Sequence, residues 1–155
     1  MSDFEKWFNR SLKLLTFRPR SKKEILDWLE RKKILPTLQK QILGKLEELN
    51  FINDEEFVKW WLEQRISFRP MGRRRIEMEL KQKGIDKETI VKLLNCLIAT
   101  TTEKELAKKA VEKKLRLWQN LPSDEFCQKL TGFLARRGFS WETIKEVVDE
   151  ILKKE

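Results

Sequence analysis

The residues of this chain best suited to chemistry are cations gathered in short runs. Arg18, Arg20, Lys22 and Lys23 form one run, Arg69, Arg73, Arg74 and Arg75 a second, and Arg136-Arg137 a third. Groups of this kind bind oxyanions, either phosphates or carboxylate-rich protein surfaces, through charge-assisted hydrogen bonds. The first two runs straddle helix starts, at Ser21-Lys22-Lys23 and at Gly72-Arg73-Arg74-Arg75. A helix N-terminus carries partial positive charge, so each cation there costs about a few tenths of a kcal/mol. The same cost recurs at equivalent places in the sequence. Dipole and cations together could grip phosphate or an acidic surface. A plainer reading stands beside this one, with Arg73–Glu77 and Arg75–Glu79 as ordinary i,i+4 pairs. Arg136-Arg137 falls in a last turn, where the dipole favours cations.

Other chemistry is poorly provided for. The chain has no histidine, which removes the commonest metal ligand and general base and any triad that needs one. Cys96 and Cys127 lack the paired spacing of zinc or thiol-exchange motifs. Cys96 lies in the apolar row Leu93-Leu94-Leu97, which predicts a small buried side chain. Gly72 is followed by arginines, and no glycine-rich phosphate loop occurs. The expectation is a protein without enzymatic activity, cofactor or metal. Trp7, Trp28, Trp60, Trp61, Trp118 and Trp141 could stack on bases, but their helical spacing points to cores and interfaces. One of Trp60 and Trp61, about 100° apart on one helix, is expected nearer the surface between units.

The elements that position these groups are repeated. Phe17-Arg18-Pro19 recurs as Phe68-Arg69-Pro70, and Ile25, Leu29 and Ile34 are followed at matching offsets by Ile76, Leu80 and Ile85. A third copy gives Leu130, Leu134 and Phe139, and Glu88-Thr89-Ile90 returns as Glu142-Thr143-Ile144. A period of about 50 residues signals an array of helical modules. Such an array offers a long surface to a partner and seldom builds one catalytic pocket.

Caps mark the helices. Ser21 with Glu24 and Thr102 with Glu105 fit the capping box, Ser2 with Glu5 and Asn53 with Glu56 repeat the idea, and Asp86 and Ser140 are N-caps. Gly84 and Gly138 follow their helices, and Pro19, Pro36, Pro70 and Pro122 stand at junctions. These signals predict helices near 3–16, 22–32, 36–49, 54–67, 72–83, 87–99, 103–118, 123–137 and 141–153, with no strands. The last helix of each unit carries a 3.6-period stripe: Leu38, Ile42, Leu43 and Leu46; Ile90, Leu93, Leu94 and Leu97; Ile144, Val147, Val148 and Ile151. The fold class is all-α, three tandem three-helix bundles over residues 1–52, 53–100 and 101–155.

The net charge is +9, with hydrophobic residues at 40% and charged residues at 38%. Residues 1–50 hold most of the excess, twelve Lys or Arg against seven Asp or Glu, with ten against eight in 51–100 and twelve against ten in 101–155. That balance suits nucleic acid or an acidic protein surface. No apolar run approaches the roughly 18 residues of a membrane span, and no signal-peptide core opens the chain. A cytoplasmic protein without a membrane partner is expected.

An ordered series of motifs resembles the RecX regulatory proteins over nearly the whole chain. Leu14-Leu15 through Arg18, Ser21, Glu24 and Leu29 resembles the first repeat of that family. Leu46-Glu47-Glu48-Leu49-Asn50-Phe51-Ile52-Asn53-Asp54-Glu55-Glu56-Phe57 is similar to its passage into the second, with Asn50 and Asn53 where Gly and Asp are common and Val58 where alanine is usual. Gly72, Arg75, Ile76, Glu79, Leu80 and Lys83-Gly84-Ile85 resemble its central signature, and Phe133-Leu134-Ala135-Arg136-Arg137-Gly138-Phe139-Ser140 the end of its third repeat. The resemblance implies an elongated, curved monomer lying in the groove of the RecA–DNA filament, where it suppresses filament growth, ATP hydrolysis and strand exchange. The residues themselves leave two rivals open. One is a helical module that binds DNA directly, without RecA; the other is a basic scaffold for another acidic partner.

Overall fold

Every regular element among the described residues is a helix. The computed structural model describes residues 1–98 and 102–153. The helices are α1 (Asp3–Phe17), α2 (Lys22–Arg31), α3 (Pro36–Glu48), α4 (Asp54–Phe68), α5 (Arg73–Gln82), α6 (Lys87–Ile98), α7 (Glu103–Trp118), α8 (Ser123–Arg136) and α9 (Trp141–Lys153). Their ends fall within about a residue of the expected spans. The expected last residue of the sixth helix, Ala99, and the expected boundary between residues 100 and 101 lie outside the described residues.

The caps explain where the helices begin. Ser21 makes the full capping box, its hydroxyl accepting from the Glu24 amide while its own amide donates to the Glu24 carboxylate. Ser2 accepts from Glu5, Asn53 from Glu55 and Glu56, Asp86 from Thr89, and Ser140 from Thr143. Thr102 accepts from Glu105.

Helix packs on helix within each triplet. α1 and α2 each lie on α3, α4 and α5 each lie on α6, and α7, α8 and α9 pack mutually. Ile25, Leu29, Ile42, Leu43, Leu46 and Ile52 form the first apolar cluster. Phe57, Val58, Leu62, Ile76, Leu80, Ile90, Leu93 and Leu94 carry the second. Leu106, Val111, Phe126, Leu130, Leu134, Ile144 and Val147 carry the third, which Ile66 of α4 also touches. Two expectations fail. Cys96 is exposed, because two residues past Leu94 a helix has turned about 200° from its buried face. Trp141 is 68% exposed, since it opens α9 ahead of the buried stripe that starts at Thr143 and Ile144. The other five tryptophans are half-buried against the three clusters.

The second helix of each triplet ends the same way. The amides of Ile34, Ile85 and Phe139 reach back to the carbonyls of Leu29, Leu80 and Leu134 at 3.2, 3.1 and 3.2 Å. The residue before each has positive φ: Lys33 at 59°, Gly84 at 82° and Gly138 at 86°. This is the Schellman ending, with an apolar residue just past it. α3 ends likewise through Asn50 at φ 60°, with the Phe51 amide on the Leu46 carbonyl at 2.8 Å.

Lysine is tolerated at position 33, so φ alone does not demand glycine. Close approach does. A Cβ on Gly84 would stand 2.6 Å from the Lys23 Cβ, and one on Gly138 would stand 2.4 Å from the Arg75 Cβ. Gly72 is pressed as hard from the other side, its absent Cβ falling 2.2 Å from the Gly138 carbonyl oxygen. The end of α5 thus docks on the start of α2, and the end of α8 on the start of α5.

Joined end to end, the triplets bury little of each other. The accessible surface is 10259 Å² for a mass of 18.8 kDa, against roughly 8300 Å² for a compact monomer of that mass. Small-angle scattering should therefore give a radius of gyration clearly above the ~15 Å of a compact chain this long; a value at or below it would contradict the extended array. Gly138→Ala should destabilise the protein by about 2 kcal/mol or more, from the strain of a side chain in the left-handed region plus the clash. Lys33→Gly, which meets no neighbouring unit, should leave stability the same or slightly raised. Thermal or urea unfolding of the two variants reads the difference.

Candidate anion-binding junction

The two end-to-end joints are built on one plan and differ in how their charges are balanced. In the first, the Ser21 hydroxyl donates to the Lys83 carbonyl at 2.7 Å, and the Lys23 ammonium reaches the Gln82 carbonyl at 3.3 Å. The Lys22 amide donates to Asp54 at 2.9 Å, and its ammonium pairs with Glu47 at 2.7 Å. In the second joint the Gly72 amide donates to the Arg137 carbonyl at 2.8 Å. The positive start of each helix thus meets the carbonyl-rich end of another. This contact offsets the dipole cost of the basic starts from inside the chain. It also occupies backbone groups that would otherwise face a ligand.

Glu24 decides the first joint. Its carboxylate pairs with Arg18 and, at 3.3 Å, with Lys83, and its side chain is 14% exposed. Burial alone would raise its pKa; the Arg18 hydrogen bond, the Ser21 amide and the charges of Arg18 and Lys83 outweigh burial and hold it below the ordinary 4.5. Arg18 also lies over the Trp60 ring at 5.5 Å, across the joint. Arg20 is half-buried, and its pKa is lowered by burial and by Arg18.

Repeat equivalence puts Arg69 where Arg18 stands, Arg75 where Glu24 stands, Arg137 where Lys83 stands and Arg136 where Gln82 stands. The second joint therefore has the cations of the first without its carboxylate. Arg69, Arg75, Arg136 and Arg137 line one concavity of about 570 Å³ with Met71 and Phe133. A neighbouring concavity of about 270 Å³ shares Arg69, Met71 and Arg75 and adds Trp61, Arg65, Glu79, Gln82 and Lys83, so it does contain a carboxylate. The ion pair expected between Arg75 and Glu79 is absent; Glu79 instead takes both the Nε and an Nη of Arg65. Arg65 reaches Glu79 from α4 across the helix pair, while the backbone and Cβ of Arg75 lie against Gly138. Arg73 does pair with Glu77, at 3.0 Å. Burial, then the Arg69 and Arg65 guanidiniums, pushes Arg137 below the ordinary arginine value. Arg137 lies over Phe133 at 4.8 Å and contacts the Pro70 carbonyl at 3.5 Å.

The structure thus gathers Arg69, Arg75, Arg136 and Arg137 of the expected residues and leaves the others apart. Arg18, Lys22 and Lys23 are engaged at the first joint, Arg73 is paired on its own helix, and Arg74 is exposed and lines neither concavity. Arg65 and Lys83 line the neighbouring concavity with Glu79, and neither was among the binding residues expected from the sequence. The alignment of Lys83 with Arg137 could have pointed to Lys83; nothing local marks Arg65.

Family models match the chain within this architecture. The model of the second three-helix domain of RecX matches residues 53–94, and that of the third matches residues 102–148. The chain belongs to the RecX family. Regulatory protein RecX of Streptomyces lividans is 33% identical over 144 residues, covering 93% of this chain and 76% of that protein. Its counterpart in Bacillus subtilis is 32% identical over 149 residues, covering 96% of this chain and 56% of that protein. The crystal structure of RecX from Lactobacillus salivarius superposes with a TM-score of 0.79 at 25% identity, over 96% of each chain. The family that the motif series resembles is the one found. No helix among the described residues is long and apolar enough to cross a membrane.

The joint that holds Glu24 should be acid-sensitive. A carboxylate with a depressed pKa contributes its stability above the unfolded value near 4.5, and loses it as pH falls through the lower folded value. Glu24→Gln should cost about 1–2 kcal/mol at neutral pH, from charged hydrogen bonds that are partly exposed. The gap between the melting temperatures of wild type and variant should close as pH drops below 4.5; a gap constant with pH would contradict the ion-pair account.

Proposed function

We propose that this protein binds RecA filaments on DNA and restrains their growth and turnover, as a monomer and without chemistry of its own. Its membership of a family of regulators supplies the setting. The observation that carries the reading is the arginine-lined groove at the second joint, where Arg69, Arg75, Arg136 and Arg137 converge with no carboxylate among them. Such a cluster is complementary to an anionic surface, and a filament on DNA presents phosphates and acidic side chains along a repeating groove. An extended array can meet several subunits of such a filament at once. Each contact after the first then forms at high effective concentration.

This reading predicts strong inhibition at low ratios. In single-stranded-DNA-dependent ATP hydrolysis and strand exchange by RecA of the same organism, inhibition should appear well below one copy per RecA. A triple replacement of Arg69, Arg136 and Arg137 by Ala should raise the concentration for half-inhibition about tenfold or more, as loss of a few charge-assisted contacts implies. A folded protein that leaves both reactions untouched in excess would overturn the reading.

A further inference from the structure

One cation of the first run has no partner. Arg20 stands where the repeat puts Met71 in the second triplet, and Met71 is 4% exposed within the second apolar cluster. Setting a half-buried guanidinium at such a position has a desolvation cost, which an acceptor ordinarily offsets. The Arg20 Nε is enclosed, and no acceptor among the described residues reaches it. Glu24, whose charge acts on Arg20, is already held by Arg18, Lys83 and the Ser21 amide. Arg20 instead lines a concavity of about 190 Å³ at the first joint. Leu14 and Trp28 give it apolar wall, and Arg20, Arg31 and Lys83 bring cations to it from two triplets. Its carboxylates are Glu24 and Asp27. Counting Arg18 with the Glu24 it pairs, four cations stand against two carboxylates, an excess of two positive charges.

Guanidinium and ammonium groups so placed favour an oxyanion, and partial burial strengthens the attraction beyond its value in bulk water. A dianion balances the excess. A tetrahedral one accepts from several directions at once, as donors from two triplets require, whereas a carboxylate presents two oxygens in one plane. At roughly 30 Å³ per water, the concavity has the volume of about six waters, room for a phosphate group with some hydration but not for a nucleoside. We propose that this concavity binds a free phosphate dianion between Arg20 and Arg31 of the first triplet and Lys83 of the second. The inference goes beyond the reading above. The concavity shares no residue with the arginine-lined one at the second joint, and its occupant is a solute instead of a filament. Because the donors come from both triplets, the bound ion fastens the first joint, and the firmness of that joint follows the phosphate concentration.

The residue of the second triplet supplies the test. In wild type, sodium phosphate should raise the melting temperature by about 2 °C or more above sodium chloride of equal ionic strength, the shift that a binding free energy linked to folding gives a chain of this length. Arg20→Met should remove that rise. The same variant should melt higher than wild type in phosphate-free buffer, since an apolar side chain replaces an unpartnered cation. Arg31→Gln should reduce the rise to half or less, and Arg69→Ala, at the other joint, should keep it whole. Circular dichroism confirms that each variant is folded, and Arg20→Gln repeats the test if Arg20→Met is not. No rise above the chloride control would overturn the proposal, as would an equal rise in wild type and Arg20→Met. Loss of the rise in Arg69→Ala would place the ion at the second joint and overturn it too. So would an Arg20-dependent rise with oligothymidylate, at equal phosphate content, as large as that with inorganic phosphate, since the site would then read a strand. RecA is absent from these measurements, so neither outcome bears on the proposed function.

Discussion

The architecture depends on one contact used twice, the end of a second helix docked on the start of the second helix before it. Helix termini leave backbone groups without partners, and a small three-helix unit has little apolar surface to spare for its neighbour. Docking end on end answers both constraints with few atoms. The Gly72 amide finds the Arg137 carbonyl, and the Ser21 hydroxyl finds the Lys83 carbonyl. Opposite ends of two helix dipoles face each other, a favourable arrangement at each joint. The contact requires glycine on the docking side, because a Cβ at Gly84 or Gly138 would occupy the space of Lys23 or Arg75. At Lys33 the same helix ending is exposed, and lysine is accommodated there in the same left-handed conformation.

Much of the fold was legible in the sequence because it is local. Capping residues, the stripes of α3, α6 and α9 (for α6 through Ile90, Leu93 and Leu94, the Leu97 side chain lying outside the described residues), and the glycines after α5 and α8 are read within one helix and its flanks, and the structure has them where the pattern put them. What was not legible lies between units. The cations at the starts of α2 and α5 look unfavourable when each helix is considered alone, and only the facing carbonyl end removes the anomaly. Spacing suggested Glu79 for Arg75, yet Arg65 reaches it from α4, and a pairing across helices leaves no i,i+4 mark. Cys96 was misplaced because an apolar row in sequence is not a face of a helix. Trp141 was misplaced because the first residue of a helix can precede the buried stripe.

The candidate site was half legible for the same reason. Its arginines were visible as runs, but runs do not separate the cations that end up together from those that are already paired. Arg73 and Arg75 are two residues apart and have different fates, one on Glu77 and one in the groove. The comparison that tells them apart is between units. Position 24 and position 75 are one position in the repeat, a carboxylate in one copy and a guanidinium in the other.

That single difference sets how the two joints behave. A joint that contains its counter-ion is held by charge as well as by backbone hydrogen bonds, and it stays closed whether or not anything is bound. A joint of like charges has the same backbone contact opposed by repulsion, so its stiffness depends on what anion surrounds it. A ligand that binds better when the joint is closed must, by linkage, close it. For an extended array the consequence is mechanical. Several contacts along a partner add only if the units between them hold their relative positions. The first two triplets are tied by the Glu24 ion pairs as well as by backbone, whereas the third is tied to the second by the Gly72–Arg137 hydrogen bond, the Lys109–Ile66 contact and the packing of Ile66.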